Sequence, residues 1–171
     1  MPKKLPGNFS DILPPLIKVA IITALLNNFF HDICETMTIH DYYQQTTREI
    51  EVSVLAEFLE DHSDPDHHQF VWAYHVRIEN KGHETVQLLT RHWKIMDGVG
   101  GQQEVLGDGV IGEQPVLTPG QVFEYSSGTP LATPSGIMSG SYGMETGDGE
   151  AFDVKIPMFS LDSPHQSIAV N

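Results

Sequence analysis

Three groups of side chains in this sequence have the types and spacing to do chemistry. Gly107, Gly109 and Gly112 stand in the order G-x-G-x-x-G, a spacing whose backbone amides can close around a phosphate. That chemistry needs the glycines to join a strand to a helix, because the first helical amides and the dipole hold the anion. Here Glu113–Gln114–Pro115 follows and then another strand pattern, and Asp108 and Glu113 would repel phosphate. The same glycines suit a bulged, close-packed connection between strands. The second group is Asp64, Asp66, His67 and His68 around Pro65, with His62 nearby. Imidazole suits cobalt, nickel or zinc, and carboxylate suits magnesium. The spacing matches no strong zinc motif, however, and an acidic turn is also ordinary solvated surface. The third group is Arg91, His92 and Lys94 around Trp93, the densest cationic spot in an acidic region. An anionic ligand would approach there, unless these side chains pair with acids on neighbouring strands.

The search for catalysis is negative. There is no G-x-S-x-G, no H-E-x-x-H and no P-loop. The single cysteine, Cys34, falls outside the strand-rich region. The sequence therefore assigns no catalytic residue and calls for no cofactor. Ser126–Pro130 and Thr133–Gly136 read as an irregular loop pair, and loops on a rigid scaffold often carry recognition. Tyr125 and Tyr142 would either serve that loop pair or be buried with their hydroxyls hydrogen-bonded.

The elements that must position these groups are strands. From Arg48 onward the apolar period is two. Ile50, Val52, Val54, Ala56 and Phe58 alternate with Glu49, Glu51, Ser53 and Glu57, although Leu55 and Leu59 break the pattern. Phe70, Trp72, Tyr74, Val76 and Ile78 alternate with Val71, Ala73, His75, Arg77 and Glu79. Val86–Asp97 gives a third strand with Trp93 and Ile95 inward. Further strands are expected at Gln103–Leu106, around Phe123 and Tyr125, at Ile137–Glu145 and over Phe152–Met158. Gly128–Gly136 reads as a loop. About seven short strands with turn signals between them predict an all-β fold. The expected form is an immunoglobulin-like, fibronectin type III-like antiparallel β-sandwich, held by Trp72, Trp93, Phe123 and Phe152 without a disulfide.

The chain has 171 residues, of which 9 are Lys or Arg and 23 are Asp or Glu, for a net charge of −14. Residues 1–40 are neutral, so the whole excess lies in residues 41–171, with 6 basic and 20 acidic side chains. Such acidity argues against a sequence-independent nucleic-acid binder, which must neutralise phosphates. Residues 1–40 read as an apolar N-terminal extension, residues 45–164 as the domain and 165–171 as a tail. Val19–Leu26 is apolar but shorter than the ~20 residues needed to span a bilayer. Pro15–Phe30 is expected either to form a helix that packs on the domain or on a membrane surface, or to lie outside a native product that starts at Met37. Deleting residues 1–36 is expected to leave the domain folded.

The stretch Gly112–Thr146 (GEQPVLTPGQVFEYSSGTPLATPSGIMSGSYGMET), with Phe70–Gly100 before it and Phe152–Pro164 after it, resembles the ApaG family, also called CorD. The resemblance covers about residues 45–164. It implies a small bacterial cytoplasmic protein with a fibronectin type III-like sandwich. It also implies a link by phenotype to cobalt resistance and magnesium efflux, and a domain that looks like a binding module inside larger eukaryotic proteins. No firm enzymatic activity comes with it. The family makes the Gly107–Gly112 loop a proposed pyrophosphate or nucleotide site. The expectation is a non-catalytic adaptor with a protein partner or self-association through an edge strand. The alternative is a regulator or hydrolase that binds a nucleotide, pyrophosphate or divalent cation.

Overall fold

Phe70, Trp72, Tyr74, Val76 and Ile78 are all 6 % exposed or less, while Val71, His75, Arg77 and Glu79 between them are only half-buried. This period of two places one face of a strand against a core. The computed structural model describes residues 42–166 and builds about two thirds of them into such strands.

There are nine: β1 (Tyr43–Thr47), β2 (Ile50–Phe58), β3 (Phe70–Asn80), β4 (Val86–Asp97), β5 (Gln102–Asp108), β6 (Val116–Leu117), β7 (Val122–Leu131), β8 (Ser135–Thr146) and β9 (Ala151–Asp162). One sheet has the order β1-β2-β3-β7. The other runs β5-β4-β8-β9, with β6 paired to β4. All pairings are antiparallel. The fold is the expected all-β sandwich.

Between the sheets lies one contiguous core. At its centre Trp93 meets Tyr74, Phe159 and Tyr142 edge-on, with ring centroids 5.2, 6.0 and 6.4 Å away. Trp72 is buried as well, and its indole Nε1 donates to the Asp162 carbonyl at 3.1 Å. Phe123 and Phe152, expected to share this role, are only partly buried at its margin.

Three local expectations are corrected. Among the described residues the strands number nine where about seven were expected, because β1 precedes the Arg48–Glu49 turn and a two-residue β6 follows the glycine loop. Ser126–Pro130 is not a loop: β7 continues to Leu131, and only residues 132–134 connect it to β8. Gly128 and Pro130 are tolerated because β7 is an edge strand. Finally, Met158 does not follow Val154 and Ile156 inward but is 65 % exposed. The register against β8 shifts between Met138 and Gly140, and Phe159 and Leu161 take the inward positions instead. The expected N-terminal helix, Cys34, the start at Met37 and residues 167–171 lie outside the described residues.

Candidate functional site

Arg91 meets two of the three glycines, Gly107 and Gly109, a contact that their spacing in the sequence did not require. Arg91 shares the inward face of β4 with Trp93 and Ile95, and its register partner on β5 is Gly107. A side chain at Gly107 would meet the guanidinium carbon at 3.0 Å, so this glycine makes room for the arginine. The guanidinium turns along the sheet edge and donates from Nη1 to the carbonyls of Asp108 (3.2 Å) and Gly109 (2.7 Å).

The glycine loop is a strand-to-strand hairpin. Val110 and Glu113 exchange both backbone hydrogen bonds, at 2.8 and 2.9 Å. The two residues between them, Ile111 and Gly112, have φ of 45° and 84°. Positive φ at both central positions matches the twist of the flanking strands. Gly109 also has positive φ, 58°, and a Cβ there would stand 2.1 Å from the Glu113 carbonyl oxygen. No helix follows. The amides of Val110 and Glu113 close the loop, that of Gly109 bonds Leu89, and the nearby Arg91 is spent on the carbonyls of Asp108 and Gly109.

The cationic spot divides. His92 and Lys94 lie on the outer face of β4, opposite in direction to Arg91. The imidazole of His92 contacts Glu104 at 2.6 Å, and Lys94 sits across from the same glutamate in the register. Cross-strand pairing with acids, one of the two expectations, accounts for this pair.

The acidic turn holds itself together locally. Asp64 precedes a single 3-10 turn, Pro65–His67, and its carboxylate accepts from the His67 backbone amide at 3.3 Å and lies 2.7 Å from His67 Nδ1. His68 closes the turn with φ of 54°. Among the described residues, no three His, Cys, Asp or Glu side chains converge so as to hold a metal ion. Asp64 and His67 are thus brought together, while Asp66 and His68 do not join them.

Two features escaped the sequence. Tyr125 and Tyr142 bond hydroxyl to hydroxyl at 2.5 Å between the sheets, and Tyr74 bonds Ser127 close by. Burial pushes all three phenols above the usual tyrosine range, and the Arg91 charge opposes that push only weakly. The sequence offered burial as one fate of Tyr125 and Tyr142, but no spacing rule pairs residues on different sheets. The second feature is the edge strand β5. The backbone of Gly109 bonds Leu89, and Gly101 bonds Asp97, so the odd-numbered residues of β5 face β4. In an antiparallel pair the alternate residues then point their amides away. Gln102, Glu104 and Leu106 therefore present their backbone groups to an open edge, and so does the amide of Asp108, whose carbonyl accepts from Arg91. Leu106 is 71 % exposed there. Its signal in the sequence was a leucine in phase with Gln102, Glu104 and Asp108, where a polar residue was due.

At the end of the sandwich formed by the Arg48–Glu49 turn, a cleft of about 240 Å³ is lined by Arg48, Glu49, Asn80, His83 and Phe152, among others. Arg48 and Asn80 are engaged there. Arg48 forms a bidentate pair with Glu150 (2.8 and 3.0 Å) over the Phe152 ring. Buried Asn80 binds the carbonyls of Glu84 and Leu117 and the amide of Gly82.

Comparison with known proteins agrees with this geometry. The family profile described as the ApaG domain matches residues 60–146. A Protein ApaG from Rhodospirillum centenum is 65 % identical over 123 residues, 72 % of this chain and 95 % of that protein. One from Paramagnetospirillum magneticum is 63 % identical over 129 residues, 75 % of this chain and 99 % of that one. Among solved structures, a putative ApaA protein from Bordetella pertussis superposes with a TM-score of 0.67 at 43 % identity, covering 75 % of this chain and 100 % of its own.

Proposed function

The chain belongs to the ApaG family, and from that premise we propose that it works as a non-catalytic binding module whose recognition element is the open edge of β5. The observation that carries this reading is the row Glu104–Leu106–Asp108. It combines outward backbone donors and acceptors with an exposed leucine between two acids. Natural sandwiches usually blunt such an edge. Here it is long enough to pair with an added strand, the arrangement by which extended peptides join a sheet. Charge and period define the partner: an extended protein segment with an apolar residue flanked two positions away on each side by Lys or Arg. The acidic domain favours such a segment over an anionic one.

Under this reading the family's association with cobalt and magnesium runs through the partner, and the protein acts in the cytoplasm. Among the described residues no helix is long and apolar enough to cross a membrane.

The test is a titration of the full chain with a Lys-x-Val-x-Lys strand peptide, read by NMR amide shifts. Binding is expected to move the β5 amides and to be lost in Leu106→Pro. The competing reading, a ligand at Arg91 and the glycine hairpin or at the acidic turn, is settled by thermal shift. A ligand specific to the folded state adds about 2.7 kcal/mol at a hundredfold excess over Kd. A shift with pyrophosphate, ATP or Co²⁺ that disappears in Arg91→Ala or His67→Ala would replace the adaptor reading.

A further inference from the structure

The β1-β2-β3-β7 sheet has a second face, pointing away from the core, and part of it is dry. Leu55 is 9 % exposed, Ala73 0 %, Ser53 3 % and Ser126 2 %. All four alternate with residues that point inward, and the register lines up Leu55, His75 and Ser126 across three strands. Leu55 and Ala73 do not belong to the contiguous core cluster. The side chain of His75, between Leu55 and Ser126, is 13 % exposed. No described strand is layered on this face, since the other sheet occupies the opposite one. Long neighbours can shade an alanine or a serine. A leucine and an imidazole in one row on adjacent strands need a cover.

We propose that this outer face is a docking surface for the protein's own N-terminal segment, with the apolar run Val19–Leu26 as its occupant. The chain outside the described residues ends at Asp41, two residues before the Tyr43–Val54 pair, and so leads onto the face beside Leu55. Reach is ample. Fifteen residues lie between Leu26 and Tyr42, enough for about 50 Å when extended. Crossing from β1 to β7 takes three strand spacings, about 14 Å. Charge selects the same occupant. Residues 1–40 are neutral, so they approach an acidic sheet without repulsion. A second copy would bring another acidic domain against this one and be repelled. Burying the run against Leu55 and Ala73 removes apolar surface of both from water. The surface is distinct from the β5 edge, and the inference stands whether or not that edge binds a partner.

The test uses the full chain with Cys34→Ser and a single reporter thiol, Ser126→Cys. Its labelling by a polar maleimide is expected to be slow, and at least tenfold faster when Ile22→Asp and Leu25→Asp are added. Near-ultraviolet circular dichroism from Trp72 and Trp93 must be unchanged in both proteins. A second readout does not depend on those substitutions: trypsin cleavage after Lys18 is expected to be slow in the parent and fast in Leu55→Arg. Equal labelling rates with and without the aspartates would overturn the proposal, as would prompt cleavage at Lys18 in the parent. A labelling rate that rises on dilution, together with a dimer in sedimentation, would overturn it in favour of a second copy.

Discussion

The hydroxyl of Tyr125 on β7 and that of Tyr142 on β8 are bonded to each other at 2.5 Å, and this bond joins the two sheets inside the core. Each is the other's partner, so removing one leaves a buried hydroxyl unpaired. Tyr125→Phe or Tyr142→Phe alone is expected to cost about 1–3 kcal/mol. The double substitution should cost less than the sum, because it removes both polar groups at once. Urea unfolding of the four proteins measures the coupling. Additive costs would show that the bond contributes no specific pairing energy.

The same two phenols set an alkaline limit. Burial holds both above the ordinary tyrosine value. The unfolded chain then loses protons near pH 10 while the folded chain keeps them, so stability is full below pH 10 and declines as pH rises further. The Tyr125→Phe/Tyr142→Phe protein should show a shallower decline. Melting temperatures between pH 8.5 and 11 would reveal parallel slopes if the buried phenols were not responsible.

Gly109 and Gly112 separate a packing role from a phosphate-binding one. Both have positive φ, but only at Gly109 would a methyl group strike backbone, at 2.1 Å from the Glu113 oxygen. Gly112→Ala meets nothing within 4 Å and should cost about 1–2 kcal/mol, the usual penalty of the left-handed region. Gly109→Ala should cost clearly more, because the hairpin must also open. Denaturant midpoints of the two variants give the order. Equal costs would mean that the close approach to Glu113 carries no weight.

These positions also show what could be read in the sequence. The alternation in Phe70–Ile78 and the turn residues between strands made the sandwich legible, since period and turn chemistry are local properties. Gly107, Gly109 and Gly112 were visible as a motif, but their three different jobs depend on Arg91 and Glu113, and these contacts are fixed only by register. The end of β7 was misread because Gly128 and Pro130 argue against a strand unless it lies at an edge, and edge position is a property of the whole sheet. The register shift opposite Met138–Gly140 turned Met158 outward for the same reason. His92 and Lys94 were legible as a cross-strand pair with an acid. Arg91 was not separable from them, because its inward direction contradicts its charge until the room above Gly107 is seen.

On the β5 edge, Leu106→Pro is a selective lesion. The Leu106 amide points away from β4, so its loss breaks no ladder bond, and proline is tolerated where an edge amide faces solvent. The melting temperature should move little while binding of an added strand is lost. Val105→Pro, whose amide faces β4, should instead destabilise the sheet. Retained binding in Leu106→Pro, at unchanged stability, would remove this edge as the recognition element.

Acid should act on the protein through His75. Burial holds its imidazole below the ordinary histidine value, with the Glu57 carboxylate 3.8 Å away partly opposing that shift. Just below the unfolded value of about 6.5, the unfolded chain takes up a proton that the folded chain refuses. Stability is therefore complete above pH 6.5 and falls as pH drops toward the folded value. The neighbouring charges on this face, Arg77 with Glu79 and Glu124, are paired with one another, and Glu57 is the carboxylate that opposes the effect of burial on the imidazole. His75→Gln should flatten the melting temperature between pH 7 and 5, and Glu57→Gln should steepen its fall by removing the opposing attraction. A calorimetric series across that range in the three proteins decides the matter: identical slopes would place the acid sensitivity elsewhere.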